Sequence, residues 1–397
     1  MERIRKTGGS AVPAIFSDIP GFGEAEGFGI VYSEGLYRMF LTVKRGLFFD
    51  VAQYVSEDLR SWKRLADAVS GERRIDSVSA VVRNGKIFLV YVCGLNGKCK
   101  LAQSRDGEHF ETYPLAVIPK GAPRRAKLTY SGGAFYLTGN SVKGEICAFR
   151  SPNCIVWEPH NIKLEGFDGE VEYPNFIGVP GGCFMSYARS GKTYRIGGKL
   201  DAEGGRFVAD GDAVFFDNAC PVRTVMLGPD RPLLYARFAS SVVFREMTTG
   251  ADGVGWRAPV ALLEARKYIG GVSDAEAAEC FEPKDMPATE CAYAFAVQLS
   301  KASEISVTFA SASGGKLTVG VDKEKAVVSC RYDDTYSEYP FEGAELRFDA
   351  VLRRGYSEVF LADGKYAITL PAVAAVGRTM SVSANGLAYV DYSCYEI

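Results

Sequence analysis

Glu26 and Glu172 are the two acids around which chemistry can be assembled in this chain. Only two histidines exist, His109 and His160. They fall at corresponding places of an internal repeat and read as hairpin residues, which leaves Ser-His-Asp chemistry and a histidine-rich metal site poorly supported. Ten cysteines are scattered without a CxxC pair, so a structural zinc site has no sequence support. Acid–base work therefore has to fall to carboxylates. Glu26 sits in GEAEGFG, between glycines that allow close approach of backbone or ligand. Glu172 precedes Tyr173-Pro174. Asp76 and the pair Arg124-Arg125 stand at equivalent points of their own repeats. Each has a bland alternative: Glu26 as a solvated turn acid, Glu172 as one more acid after Glu165, Asp168 and Glu170, and the arginines as a solvated loop pair.

The elements that must position these residues recur. Turn glycines Gly35, Gly85, Gly133 and Gly182 are spaced 50, 48 and 49 apart, and a fifth turn falls at Asp230-Arg231-Pro232. Each is followed by an aromatic-rich strand: LYRMFL, KIFLVYV, AFYLTG, CFMSYA and LLYARF. Later in each unit comes a polar hairpin and a large aromatic, Trp62, Phe110, Trp157, Phe207 and Trp256, at spacings of 48, 47, 50 and 49. The two ladders agree. Units of this length, with short strands and turn signals, predict the blades of a β-propeller, five in number. The candidate residues lie at the starts of innermost strands, facing the axial funnel.

Residues 266–278 read as a connector. Beyond it, alternating strands such as EISVTFAS, KLTVGVD and ELRFDAVL, separated by glycine turns, predict a β-sandwich. The expected organisation is all-β: a five-bladed propeller over 1–265, the connector, and a sandwich over 279–397. The chain has 397 residues, 47% hydrophobic and 24% charged, ample for both domains. A net charge of -2 gives no electrostatic reason to expect nucleic acid or an anionic membrane as partner. No apolar run approaches the roughly 18 residues of a membrane span. The stretch MERIRKTGGSAVPAIF lacks the apolar core of a signal peptide, so a cytoplasmic location is expected.

Several stretches resemble glycoside hydrolase family 32, the invertases, levanases and inulinases. SEDLRSW (56–62) is similar to the family's SKDLxHW, and SVSAVVRNGKIFLVY (77–91) to SGSAVxxxGKLxLFY. CKLAQSRDGEHFETYP (99–114) resembles ALAYSxDGxxFxKY, GWRAPVALLEARK (255–267) resembles GWxxALxLPRE, and SEVFLADG (357–364) resembles VEVFxNDG. The resemblance implies a propeller-plus-sandwich fold and three acids in the funnel. Glu26 stands at the position of the nucleophilic Asp of WMNDPNG, with Ala25 in place of the Asn. Glu172 stands at the acid/base Glu of the EC motif. Arg125 replaces the transition-state-stabilising Asp of RDP. Asp76 replaces the Phe of FSGSA, and Thr42 a substrate-contacting Gln.

Two of three acids remain, one longer by a methylene. Retaining glycosidases hold such a pair about 5–5.5 Å apart, so a longer side chain alters the geometry. The resemblance implies a carbohydrate partner and glycosyl hydrolysis or transfer, with Glu172 as a general acid kept protonated by apolar burial and neighbouring acids. Asp76, Arg124, Arg125 and Tyr173 are the expected substrate contacts. Arg125 suits a substrate other than sucrose or plain fructan, one with an anionic group, unless Asp76 neutralises it. The competing reading is a catalytically inactive, carbohydrate-binding propeller. No metal or organic cofactor is called for. Chelation with EDTA is expected to leave any glycosidase activity unchanged, and loss of activity that returns on adding a divalent cation would refute this.

Overall fold

The dipeptide Glu34-Gly35 shows how each repeat begins. Both residues take positive φ, 54° and 79°, and join strand Phe28–Ser33 to Leu36–Arg45 in a two-residue hairpin. A turn with two left-handed residues matches the right-handed twist of the strands it joins. Asn84-Gly85 link Ile75–Arg83 to Lys86–Cys93 with φ of 50° and 70°. Gly132-Gly133 link Lys127–Ser131 to Ala134–Val142 with φ of 56° and 82°. In the fourth repeat Gly181, at φ 82°, carries the turn, while Gly182 already belongs to the strand Gly182–Arg189.

The computed structural model describes residues 27–94, 97–142, 144–179, 181–228, 231–239, 241–250, 253–263, 266–277 and 290–397. The chain is all-β, and the one helix among the described residues is the single turn Val260–Leu263. None of the described helices is long and apolar enough to cross a membrane. Two compact units are present, Met1–Val242 and Val243–Ile397, with the boundary inside strand Ser241–Gly250.

In the first unit, a second recurring device explains the polar-hairpin-plus-aromatic ladder. Asp58 Oδ1 accepts from the backbone N–H groups of Arg60 and Ser61, both at 2.8 Å. Asp106 does the same for Glu108 and His109, and Asn153 for Ile155 and Val156. Ser56, Ser104 and Ser151 each donate to the acid or amide two residues on. Trp62 and Trp157 close the hairpin through the indole N–H onto Leu59 and Cys154 carbonyls. The side-chain oxygen replaces the missing backbone partners of a tight turn, which is why Ser, Asp and Asn recur there. Trp62 and Phe207 are almost wholly buried.

The first strands of the repeats neighbour one another in cyclic order: Phe28–Ser33, Ile75–Arg83, Lys127–Ser131, Glu172–Val179, Val222–Met226 and back to Phe28–Ser33. Side chains stitch the neighbours together. The hydroxyls of Ser77 and Ser79 accept from the Ala126 and Leu128 amides at 3.3 and 2.9 Å. The Tyr235 hydroxyl accepts from Ile30 N–H at 3.3 Å, and its ring meets Phe28 edge-on at 5.2 Å. Glycine is required at Gly27, where an added Cβ would lie 2.7 Å from Val78 N and 2.8 Å from Ser77 Cα. This glycine next to Glu26 serves strand-on-strand approach, not ligand approach.

The second unit holds two sheets. One runs Lys267–Glu276, Tyr389–Glu396, Cys291–Gln298, Glu345–Leu352, Ser357–Leu361 and Tyr366–Leu370 in spatial order. The stretch 266–278, expected to be a connector, thus contributes a strand paired with the C-terminal one. The other sheet runs Thr335–Pro340, Val327–Tyr332, Lys316–Asp322, Glu304–Ser311 and Arg378–Ala384. Alternate residues of Glu304–Ser311 are buried, the period of a strand with one covered face. Phe309 from this sheet meets Tyr293 of the first at 5.1 Å, and Phe295 stacks on Phe348 at 4.6 Å. Arg245 and Glu358 form a buried ion pair at 2.8 Å. The nine described cysteines are all free.

Because Gly27 packs against backbone that cannot yield cheaply, Gly27→Ala is expected to destabilise the fold by about 1–3 kcal/mol. Urea unfolding followed by tryptophan fluorescence measures this, and an unchanged midpoint would contradict the close approach.

Candidate functional site

Every candidate residue lies at or just before the start of a first strand. The cyclic order of those strands gathers the starts at one end of the first unit. Glu26 lies outside the described residues. Gly27, next in the chain, is fixed by its carbonyl, which accepts from both the amide and the hydroxyl of Thr42 at 3.2 Å. Thr42 is thus a backbone tie for the first strand.

Asp76 is 4% exposed. Its Oδ1 accepts from Arg74 Nε at 2.6 Å, while Oδ2 is buried with no hydrogen-bond partner. Asp76 therefore does not neutralise Arg125. That role falls to Glu172, whose Oε1 is 2.7 Å from Arg125 Nη1, the two side chains being 47% and 37% exposed. This corrects the expectation of a Glu172 held among apolar groups and other acids: it is half open to solvent and its nearest charge is a guanidinium. Of the preceding run, Glu165 is engaged elsewhere, with Lys163 and Arg206. Arg124, the other half of the arginine pair, is exposed and makes none of these contacts.

Arg125 and Tyr173 both take left-handed backbone, φ 56° and 53°. Such conformations are uncommon for residues with side chains and cost roughly 1–3 kcal/mol. The Tyr173 amide is held by Asn140 Oδ1 at 3.0 Å, which fixes the turn into the fourth strand. The Arg125 guanidinium lies 4.8 Å from the Tyr173 ring centre, and a second guanidinium, Arg223, lies 5.5 Å from it. Burial raises the Tyr173 phenol above its ordinary value, and the two arginines oppose the shift.

Four further residues belong to the site and were not singled out by sequence: Arg223, Lys127, Asn175 and Thr224. Arg223 is 4% exposed, and its Nη2 donates to the Arg125 carbonyl at 3.0 Å. Lys127, two residues after Arg125, is buried. Its Nζ donates to Asn175 Oδ1 and to Thr224 Oγ1, the latter at 2.7 Å. Thr224 also donates to Asn175 Oδ1 at 3.0 Å. Lys127 thus ties the third, fourth and fifth first strands together. Burial, then the nearby Arg223 charge, pushes the Lys127 amine well below its ordinary value. The repeat contains the signal that finds them: Arg125 and Arg223 are 98 apart, Lys127 and Asn175 48, and Asn175 and Thr224 49.

Beyond Lys127, toward the other ends of these strands, lies a cavity of about 760 Å³ lined by Ile30, Tyr32, Val81, Thr129 and Tyr130, among others. Lys127 and Thr224 line it, and none of the five described candidate residues does. Among the described residues no group of three or more His, Cys, Asp or Glu side chains could hold a metal ion.

The fold is that of glycoside hydrolase family 32 enzymes. A family 32 β-fructofuranosidase from Bombyx mori superposes with a TM-score of 0.73 at 18% identity, covering 92% of this chain and 89% of that one. The fructofuranosidase from Schwanniomyces occidentalis, complexed with fructose, gives 0.75 at 14% identity over 94% and 96%. The sucrose-6-phosphate hydrolase from Lactobacillus gasseri gives 0.75 at 14% identity over 94% and 90%. No family model and no curated protein matches the sequence. The resemblance lies in the backbone across nearly the whole chain.

A lysine whose folded value is lowered binds fewer protons than in the unfolded chain. Stability from this source therefore rises with pH between the lowered value and the ordinary 10.5. Lys127→Met removes that dependence and leaves Asn175 Oδ1 served by Thr224. The stability of the native protein relative to Lys127→Met is expected to increase from pH 7 to about 10 in urea titrations. A difference flat in pH would show that Lys127 is charged in the fold.

Proposed function

We propose that this chain is a glycoside hydrolase-like protein that hydrolyses or transfers a glycosyl, fructosyl-like unit, using Glu26 and Glu172 as its carboxylate pair. The site is the axial funnel of a five-bladed propeller over residues 1–265, followed by a β-sandwich over 279–397. The cyclic order of the five first strands supports the blade count, and the ring contacts between the two sheets of the second unit support the sandwich. The observation that carries the functional reading is Glu172. It opens a first strand, is reachable from solvent, and pairs with Arg125, whose guanidinium lies against the Tyr173 ring. The structural neighbours include enzymes whose complexes contain sucrose and fructose, which supports a carbohydrate partner. The free cysteines among the described residues support a reducing, cytoplasmic setting.

In this reading Glu172 serves as the acid/base and Glu26 as the nucleophile, or as the base for water where the spacing is wider. Arg125 in place of an acid argues for a substrate other than sucrose or plain fructan, since a guanidinium donates hydrogen bonds and never accepts them. The same pair supports the second reading, an inactive carbohydrate-binding propeller: with Arg125 on Glu172, the acid is held by a structural ion pair. A screen of aryl glycosides, fructans and acidic glycosides separates the two. If the chain is an enzyme, Glu26→Gln and Glu172→Gln are each expected to lower turnover by about 10²–10⁴-fold. Saturable sugar binding without turnover would favour the binding module, and unchanged turnover in Glu172→Gln would remove Glu172 from the mechanism.

A further inference from the structure

The unexplained group in this site is Arg223. Its guanidinium is buried, yet Nη1 has no hydrogen-bond partner, and no carboxylate pairs with it among the described residues. A buried cation without a counter-charge is among the costlier arrangements in a protein, and an orphaned buried donor calls for an account. A second cation adds to it: the Arg125 guanidinium approaches the same Tyr173 ring. Asp76 presents the complementary defect, a buried Oδ2 that lacks a donor. The missing piece at Arg223 is an anionic oxygen, which a sugar acid or a sugar phosphate carries.

We propose that the site takes a sugar bearing an anionic group, carboxylate or phosphate, and that Nη1 of Arg223 is its fixed anchor, with Arg125 as the movable second donor. The proposal rests on the carbohydrate reading of this site and names its substrate class. Arg125 alone is a poor anchor because Glu172 already occupies it. Arg223 has its second nitrogen pinned to the Arg125 carbonyl and one face on Tyr173, so its remaining donor is held in place before a ligand arrives.

The test is isothermal titration of the full chain with three matched ligands: fructose, 2-keto-gluconate (the same skeleton with a carboxylate) and fructose 6-phosphate. At least one acid is expected to bind about tenfold or more tightly than fructose, and the acid that does so distinguishes carboxylate from phosphate. Arg223→Met is expected to abolish that preference while leaving fructose binding in place, Arg223→Lys to retain part of it, and Arg125→Ala to weaken it less than Arg223→Met. If Arg223→Met fails to fold, the wild-type comparison and Arg223→Lys decide. Equal binding of all three ligands overturns the anionic anchor and leaves the carbohydrate reading intact. An acid preference that survives in Arg223→Lys undiminished assigns the anchor elsewhere and overturns the role of Arg223. Binding of none overturns the inference, and the glycoside screen then decides separately whether the carbohydrate reading stands.

Discussion

Lys127 is the crosslink on which the site depends. A single amine, taken out of water, holds Asn175 and Thr224 from two other strands. Burial of a charged amine is unfavourable, and the protein answers by shifting it toward the neutral form and giving it two oxygen acceptors. The tie fixes the height of three first strands relative to one another. That in turn sets where Arg125, Glu172 and Arg223 emerge, each within three residues of a tied position. Close approach on the opposite side, where Gly27 meets the Ser77–Val78 backbone, fixes the remaining two strands. The described candidate residues at the strand starts are therefore placed by a few contacts between neighbouring first strands.

Much of this was legible in the sequence because it is periodic. Turn glycines and hairpin aromatics recur at near-constant spacing. Their physical causes, left-handed turn residues and Ser/Asp/Asn oxygens that satisfy turn amides, are visible in the structure at Glu34-Gly35, Asp58, Asp106 and Asn153. The candidate residues were legible to the same extent, since position within a repeat says where a side chain starts. What it does not say is which partner the side chain chooses. Arg125 could pair with Asp76 or with Glu172 from equivalent positions. The choice depends on Arg74, which takes Asp76 and leaves Arg125 to Glu172.

Arg223 and Lys127 escaped for a different reason. Arginine and lysine are ordinarily surface residues, and a sequence search for site residues looks first for carboxylates. Only the geometry of a ring, where the fifth strand sits beside the fourth and near the third, turns Arg223 into a neighbour of Arg125. The stretch 267–276 misled in the opposite sense: its glycines and small residues suggest a link, but the chain is extended there and pairs with Tyr389–Glu396, whose own alternation is regular.

The two guanidiniums on Tyr173 have different freedom, and this difference bears on how the site could work. Arg125 and Glu172 meet where both are substantially solvated, and exposed pairs of this kind contribute about 0–1 kcal/mol. A ligand group can therefore displace Arg125 from Glu172 at little cost, which under the proposed function would release the carboxyl to act on the ligand and the guanidinium to bind it. Arg223 has no such latitude, because leaving its buried position would break its bond to the Arg125 carbonyl and expose a desolvated pocket. One cation moves and one stays. An acid at position 125 could accept sugar hydroxyls but could not exchange partners in this way. Under the anionic-substrate proposal, the arginine there would link the release of Glu172 to the arrival of a negatively charged group.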